Sequence, residues 1–387
     1  MSEETPFPWA IGVHDAHCHP TDTIPSIASI AQMKARTLTI MSTRHDDQDL
    51  VSRTAAQFSA KTTNSANDRV VPSFGWHPWF AHMLIDDTAY KKTQDPAERR
   101  AAHYAAVLTV PPGKEDQSLI DALPDPKPLS EFISESRARL QQFPHALVGE
   151  VGLDKVCRLP MPQVAAESNG GDDRRGLSGY RVVMDHQRTV LKAQLQLAAE
   201  LKRPVSLHSV QCHGTTLQLL KEMWAGHEKD VPTRRERHQQ RDAPGAFSDD
   251  EEVSDDGGKT DIGAQSSVSE VTDGSKHLPF PPRICVHGYS GKVGPVREFM
   301  NAAHPCEFYF SFGMIPKYCD AANPKISEVI KYVPEDRILI ESDWHAAGPE
   351  VDQILETAAR EICELRGWEL EEGVKRFANN WLRFVYG

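Results

Sequence analysis

The sequence predicts an α/β fold, a (β/α)8 barrel of the TIM type, and three observations carry this. Short apolar runs alternate with helical patterns eight times along the chain. The length of 387 residues suits one large barrel with inserts. No GxGxxG turn follows the first strand. The nucleotide-binding form of the alternative, an open doubly wound sheet, is therefore unsupported.

The first strand is "AIGVHDAH", followed by a helix over "IPSIASIAQMKA" and a second strand, "TLTIMS". "DDQDLVSRTAAQFSAK" reads as a helix with Asp46 or Asp47 near its cap. "RVVPSFGWHP" is the third strand, with His77 at its end. The polar stretch that follows holds one helical pattern, "PAERRAAHYAAVL". "PLSEFISESRARLQQF" is an amphipathic helix that Ser130 is placed to cap, and "HALVGEVGLD" is the fourth strand. A long helix, "MDHQRTVLKAQLQLAAELKR", precedes the fifth strand, "PVSLHS", and "HGTTLQLLKEMWA" is helical again. The sixth, seventh and eighth strands are "PRICVHGYSG", "CEFYFSFG" and "ILIESDWH", with a helix, "GPVREFMNAA", between the first two. Helices over "PEVDQILETAAREICELRG" and "EEGVKRFANNWLRFVYG" close the chain.

Residues 1–387 thus read as one domain with inserts at about 86–128, 156–180 and 227–282. The last insert begins basic, "TRRERHQQR", and turns acidic and Gly/Ser-rich, with Ser248 and Ser254 each before acidic residues. Its apolar content is too low to offset ordering entropy by burial, so disorder is expected. It reads as a solvated spacer or as a docking segment for a protein partner.

A formal net charge of −12 gives no general attraction to nucleic-acid phosphates, so any such chemistry needs a local positive site. No apolar run is long enough to span a membrane. "MSEETPFPWA" lacks a signal-peptide core. Seven scattered cysteines without a CxxC pair suit reduced thiols in a cytoplasmic or nuclear setting. The sequence has no GxSxG, no P-loop and no zinc-finger spacing.

"GVHDAHCHPTD" poses the chemical question. In a strand, residues i and i+2 share a face, so Asp15, His17 and His19 project together, and Cys18 packs on the other side. Two imidazoles so placed can grip a metal ion; a polar turn is the plain alternative. The other strand ends weigh on the choice. The fourth strand carries Glu150 in "GEVGLD", the fifth His208 in "SLHS", the sixth His287 in "CVHGYSG" and the eighth Asp343 in "ESDWH". Barrel enzymes carry their chemistry at the C-terminal strand ends. Four imidazoles and two carboxylates arriving there can hold two divalent ions, with one carboxylate shared.

With "DAHCHP", "FGWHPW", "VGEVGLDK", "VSLHS", "CVHGYSG" and "IESDWH" in this order, and "FANNWLRFV" at the end, the chain resembles the TatD family of metal-dependent deoxyribonucleases, within the amidohydrolase-like barrels. The resemblance spans nearly the whole barrel but not the inserts. It implies that His17, His19, Glu150 and Asp343 hold one ion and that Glu150, His208 and His287 hold the other. It implies two divalent cofactors, Mg, Mn or Zn, and DNA as substrate. Lys155, Val210 and the pair Trp344 and His345 depart from the family's usual residues. They lie around the substrate, so they bear on substrate choice. The inserts suggest a eukaryotic branch, some of whose fungal members carry names implying a helical-repeat protein partner.

In this reading Asp343 and Glu150 are catalytic, Asp343 doubling as proton acceptor. Asp15 and Glu341 support the ligands from behind. His77 hydrogen-bonds a phosphate oxygen, or packs as a loop histidine among Trp76 and Trp79. Those tryptophans either stack bases at the mouth or simply pack. Asp154 orients its loop or touches the site, His213 starts a helix, and His345 reaches toward the metal mouth. Two other readings stand beside the deoxyribonuclease: another amidohydrolase-type hydrolysis, and an interaction factor on the same barrel with little turnover. The first commonly uses a carboxylated lysine at the fourth strand, where this chain offers Glu150.

Overall fold

A computed structural model describes residues 5–59, 68–88, 95–161, 176–231, 278–313 and 324–387. The acidic stretch with Ser248 and Ser254, and residues 162–175, lie outside the described residues.

Eight parallel barrel strands form where the apolar runs fall: β1 His14–Cys18, β2 Thr37–Met41, β3 Val70–Ser73, β4 Val148–Asp154, β5 Val205–Val210, β6 Arg283–Val286, β7 Glu307–Phe312 and β8 Ile338–Ile340. They pair as β1-β2-β3 and as β8-β7-β6-β5-β4. A parallel bridge, Ser73 to Leu147, joins the two runs on one side. On the other side Asp343 N donates to His17 O and His19 N to Trp344 O, so the sheet closes just where the candidate ligands sit. Nearly every strand residue is buried, as a sheet covered on both faces requires.

Helices α1 Gln48–Phe58, α2 Pro96–Val107, α3 Gln117–Ala122, α4 Leu129–Gln142, α5 Met184–Glu200, α6 His213–Trp224, α7 Val293–Phe299, α8 Pro324–Tyr332, α9 Pro349–Arg366 and α10 Leu370–Tyr386 surround them. The last helix plugs the bottom of the barrel. Its Trp381, Phe384 and Val385 pack on Ala16, Val71, Leu147, Cys285, Tyr309 and Leu339, and the Trp381 indole donates to Thr39 Oγ1. Cys18 lies in the main core, away from His17 and His19, as a packing residue.

Four elements depart, wholly or in part, from the sequence reading. Residues Ile24–Gln32 form a 3-10 helix instead of an α-helix. Their apolar residues recur every third position, and a three-residue turn stacks buried Ile27 and Ile30 on one line. Ser130 does not cap α4; its backbone N–H and hydroxyl donate to Asp87 instead. Asp47 stands at the N-cap of α1, but its carboxylate closes the preceding turn through Thr43 and Arg44. Helix α8 has no counterpart in the sequence reading.

The 86–128 stretch is more than a polar spacer. Tyr104, Val107, Leu108 and Leu119 form a second core with Trp76, Leu84, Phe132 and Val190. Three histidines lie against this core. His103 Nε2 is 2.7 Å from His82 O and His186 Nε2 is 2.9 Å from Ala81 O. Burial lowers all three, His82 to about 3 and His103 to about 4. They fold neutral, while the unfolded chain takes up protons as pH falls below about 6.5. Each therefore removes stability on acidification, by up to about 1.4 kcal/mol per pH unit. His103→Gln keeps a donor for His82 O but cannot titrate. Urea unfolding at pH 7.5 and 5.0 is expected to show a smaller acid-induced loss in this variant than in the wild type. Equal losses would show that His103 is not part of the acid response.

Candidate metal centre

The loop after β3 is tied down before its chemistry begins. Gln48 Nε2 donates to Gly75 O, and His77 N donates to Thr43 O. Gln194 on α5 pairs with both the N–H and the C=O of Trp76. Two turns earlier on the same helix, Gln187 pairs in the same way with Asp154 at the end of β4. Residues seven apart share a helix face, so one face of α5 clamps two strand ends through buried amides. Sequence reasoning missed both glutamines. Their signal is an amide recurring at i and i+7 among apolar residues of a helix.

The structure brings His17, His19, Glu150, His208, His287 and Asp343 together, with His77 among them. Glu150 is the hub, and its two oxygens face different partners. Oε2 lies 3.4 Å from His17 Nε2 and 3.3 Å from His19 Nε2. Oε1 lies 2.8 Å from His208 Nδ1, 2.8 Å from His287 Nε2 and 3.0 Å from His77 Nε2. Asp343 Oδ1 completes the first group, 3.8 Å from His17 Nε2 and 3.5 Å from His19 Nε2. His17, Glu150, His208 and His287 are buried, whereas the Asp343 side chain is 39% exposed at the rim. Asp343 adopts φ +49°, a left-handed conformation that aspartate tolerates better than most residues and that often marks functional positions.

The supporting groups act in distinct ways. Ser206 Oγ is 2.8 Å from His17 Nδ1. With Nδ1–H donated there, His17 Nε2 turns its lone pair to the cluster. Asp15 accepts from the backbone N–H of His17 and from both N–H and hydroxyl of Ser342, which ties β1 to the turn after β8. It acts through the main chain and touches none of the clustered imidazoles. Glu341 Oε1 accepts from Gly288 N and lies 3.9 Å from His287 Nδ1; its other oxygen bonds the Ser311 hydroxyl. Burial raises Glu341 to about 8 and Asp15 to about 7, so neither rivals Glu150 and Asp343 as an anion. Asp154 Oδ2 lies 3.3 Å from His208 Nε2 and accepts from the Trp79 indole. His213 begins α6, its Nδ1 3.0 Å from Ser209 Oγ. Lys155 and His345 enter none of these contacts.

His77 is the unexpected member. His77, Glu150 and His208 lie close enough to share an ion. The hydrogen bonds give His77 another role. Its Nδ1 accepts the Trp79 backbone N–H at 3.1 Å, and burial lowers its pKa to about 4. The neutral ring must then carry its proton on Nε2, which makes it a donor toward Glu150 Oε1. Trp76, by contrast, is core: it is buried edge-on against Phe132, with its indole donating to Phe80 O. It is not available to stack a base.

The field of the cluster calls for cations. Burial opposes charge on Glu150, but the surrounding imidazoles, His77, His287 and His17 foremost, hold its pKa well below the carboxylate range. Burial likewise opposes protonation of His208, yet Asp154 and Glu150 raise it to about 9. His19 and His287 are raised against the same opposition by the nearby carboxylates. Such buried carboxylates, ringed by imidazole nitrogens, form a donor set that fits divalent ions. His17, His19 and Asp343 converge as one group of possible ligands, and His17, His287 and Glu341 as another. No helix among the described residues is long and apolar enough to cross a membrane.

The chain has clear relatives among known proteins. The chain is similar to Cut9-interacting protein scn1 of Schizosaccharomyces pombe, 33% identical over 373 residues, covering 96% of this chain and 98% of that protein. It is 30% identical over 207 residues to an uncharacterized deoxyribonuclease, YMR262W, of Saccharomyces cerevisiae, covering 52% of this chain and 58% of that one. Among solved structures it is similar to an uncharacterized amidohydrolase from Saccharomyces cerevisiae, with a TM-score of 0.54 and 12% identity, covering 98% of this chain and all of that one. It is also similar to YJJV, a TatD homolog from Escherichia coli K12, with a TM-score of 0.51 and 17% identity, covering 97% and 98%. At those identities the two structures speak for the barrel fold alone. The model of the TatD-related DNases matches residues 14–386, which takes in all eight strands and every residue of the cluster, and the chain belongs to that family.

Proposed function

We propose that this protein is a two-metal hydrolase that cleaves phosphodiester bonds, acting as a deoxyribonuclease. One observation carries the reading: the two oxygens of Glu150 face two separate sets of ligand-type groups. In this assignment His17, His19, Glu150 and Asp343 would hold one ion, and Glu150, His208 and His287 the other. Divalent ions supply charge neutralisation of the phosphate and activation of water. Mixed imidazole and carboxylate ligands suit Zn or Mn, with Mg also accommodated.

The chain's own residues do the rest. Asp343 is ionised: burial resists this, but the His19 hydrogen bond and the neighbouring His17 and His287 lower its pKa. Exposed at the rim, it is placed to take a proton from the attacking water. Neutral His77 offers its Nε2–H to a phosphate oxygen, exchanging Glu150 for substrate. Asp154 and Ser206 fix the rings of His208 and His17. A protein of net charge −12 then needs no basic surface to meet a nucleic acid, because the centre itself supplies the positive charge.

A second reading, an interaction factor with little turnover, draws on the name of the 33%-identical relative. A panel separates the two: purified full-length protein, loaded with Mg, Mn or Zn, against single- and double-stranded DNA and RNA oligonucleotides. The expected result is DNA cleavage that needs an added ion and stops with EDTA. Absence of phosphodiester cleavage under every ion would favour the interaction factor.

A further inference from the structure

Resting on the phosphodiesterase reading, we propose that Trp79 is a stacking platform for one unpaired base beside the scissile phosphate. Trp79 is 47% exposed, whereas Trp76, three residues earlier, is buried. The indole is nonetheless held at two points. Its N–H donates to Asp154 Oδ2 at 2.8 Å, and its backbone N–H donates to His77 Nδ1 at 3.1 Å. Asp154 is itself fixed, its other oxygen accepting from Val156 N and Cys157 N and its backbone clamped by Gln187. The polar edge of the ring is thus consumed, and what remains in solvent is apolar carbon surface. A large aromatic kept rigid and exposed has already met the ordering cost of binding.

Its position supplies the ligand chemistry. The Trp79 ring centroid is 4.8 Å from that of His77 and 6.3 Å from that of His208, near-perpendicular to both. Those rings sit on the Oε1 side of Glu150. A phosphate engaged by His77 would carry its own nucleoside toward the indole. Every base has a π-face, so such a contact is tolerant of sequence. In a duplex both faces of a base are taken by its neighbours, so only an unpaired base can use the platform.

The test compares wild type, Trp79→Phe and Trp79→Ala on a short single-stranded DNA, the same strand made wholly of abasic nucleotides, and the duplex. Circular dichroism and thermal unfolding confirm that each variant is folded. For Trp79→Ala on the single strand, KM should rise roughly 5- to 100-fold, the range of one lost base stack, with little change in kcat. Trp79→Phe, which keeps a ring but not the N–H, should recover most of the loss. On the abasic strand the three proteins should behave alike. Equal losses on normal and abasic strands, or a Phe variant as poor as the Ala variant, would mean that Trp79 acts only by bracing Asp154, and would overturn the proposal. Wild-type protein that cleaves none of the three would instead defeat the phosphodiesterase reading, and the platform with it.

Discussion

Glu150→Gln is expected to lower DNA cleavage by roughly 10³-fold, in the range seen when a group positioned for the transition state is lost. The substitution keeps the shape of a side chain buried at the centre of the barrel mouth. It removes the negative charge and turns one acceptor oxygen into a donor. That donor must face either His17 and His19 or His208 and His287, and neither set can be left as it was. Both sets of imidazoles are therefore disturbed by one change. Steady-state cleavage at saturating metal checks this. Activity within tenfold of wild type would show that Glu150 is not shared.

Asp343→Asn is the second large effect, with cleavage expected to fall by roughly 10²-fold or more through loss of a positioned proton acceptor. Asparagine suits this test for a backbone reason. The residue sits at φ +49°, a conformation in which Asn and Asp are far commoner than other non-glycine residues. Its N–H bond to His17 O, which helps close the barrel, is kept by any residue able to hold that turn. Folding stability should change by no more than about 1 kcal/mol, as for other partly exposed substitutions that leave packing intact. Near-normal cleavage would mean that the eighth strand contributes no acid–base group. A large drop in unfolding midpoint would mean that the carboxylate is structural.

The barrel was legible because each strand is an apolar run closed by a polar end, and the ligand-type residues fall on those ends. His17 and His19 show themselves by a spacing of two, His208, His287 and Asp343 by following an apolar run, and Glu150 by standing as a lone carboxylate inside one. Other features had no such signature. Gln187 and Gln194 look like ordinary helix amides until α5 is seen to bury them. Ser206 is one serine within a strand, and only closure of the barrel sets it against His17. Trp76 and Trp79 share one loop, so no periodicity says which faces solvent. The second core draws Tyr104, Val107 and Leu119 from a stretch too polar to read as core, because the barrel wall supplies the apolar partners. The role of His77 depends on which nitrogen bears the proton, and that follows from a backbone donor two residues away.

The shared centre is tested most directly by metal content. Full-length wild type and Glu150→Gln are each loaded with Zn or Mn, freed of excess ion by gel filtration, and measured by inductively coupled plasma mass spectrometry against protein concentration. Two ions per chain in the wild type, with loss of both or retention of only a weakly held fraction in Glu150→Gln, is the predicted result. No retained ion in the wild type, or the same stoichiometry in both proteins, would contradict a centre built on Glu150.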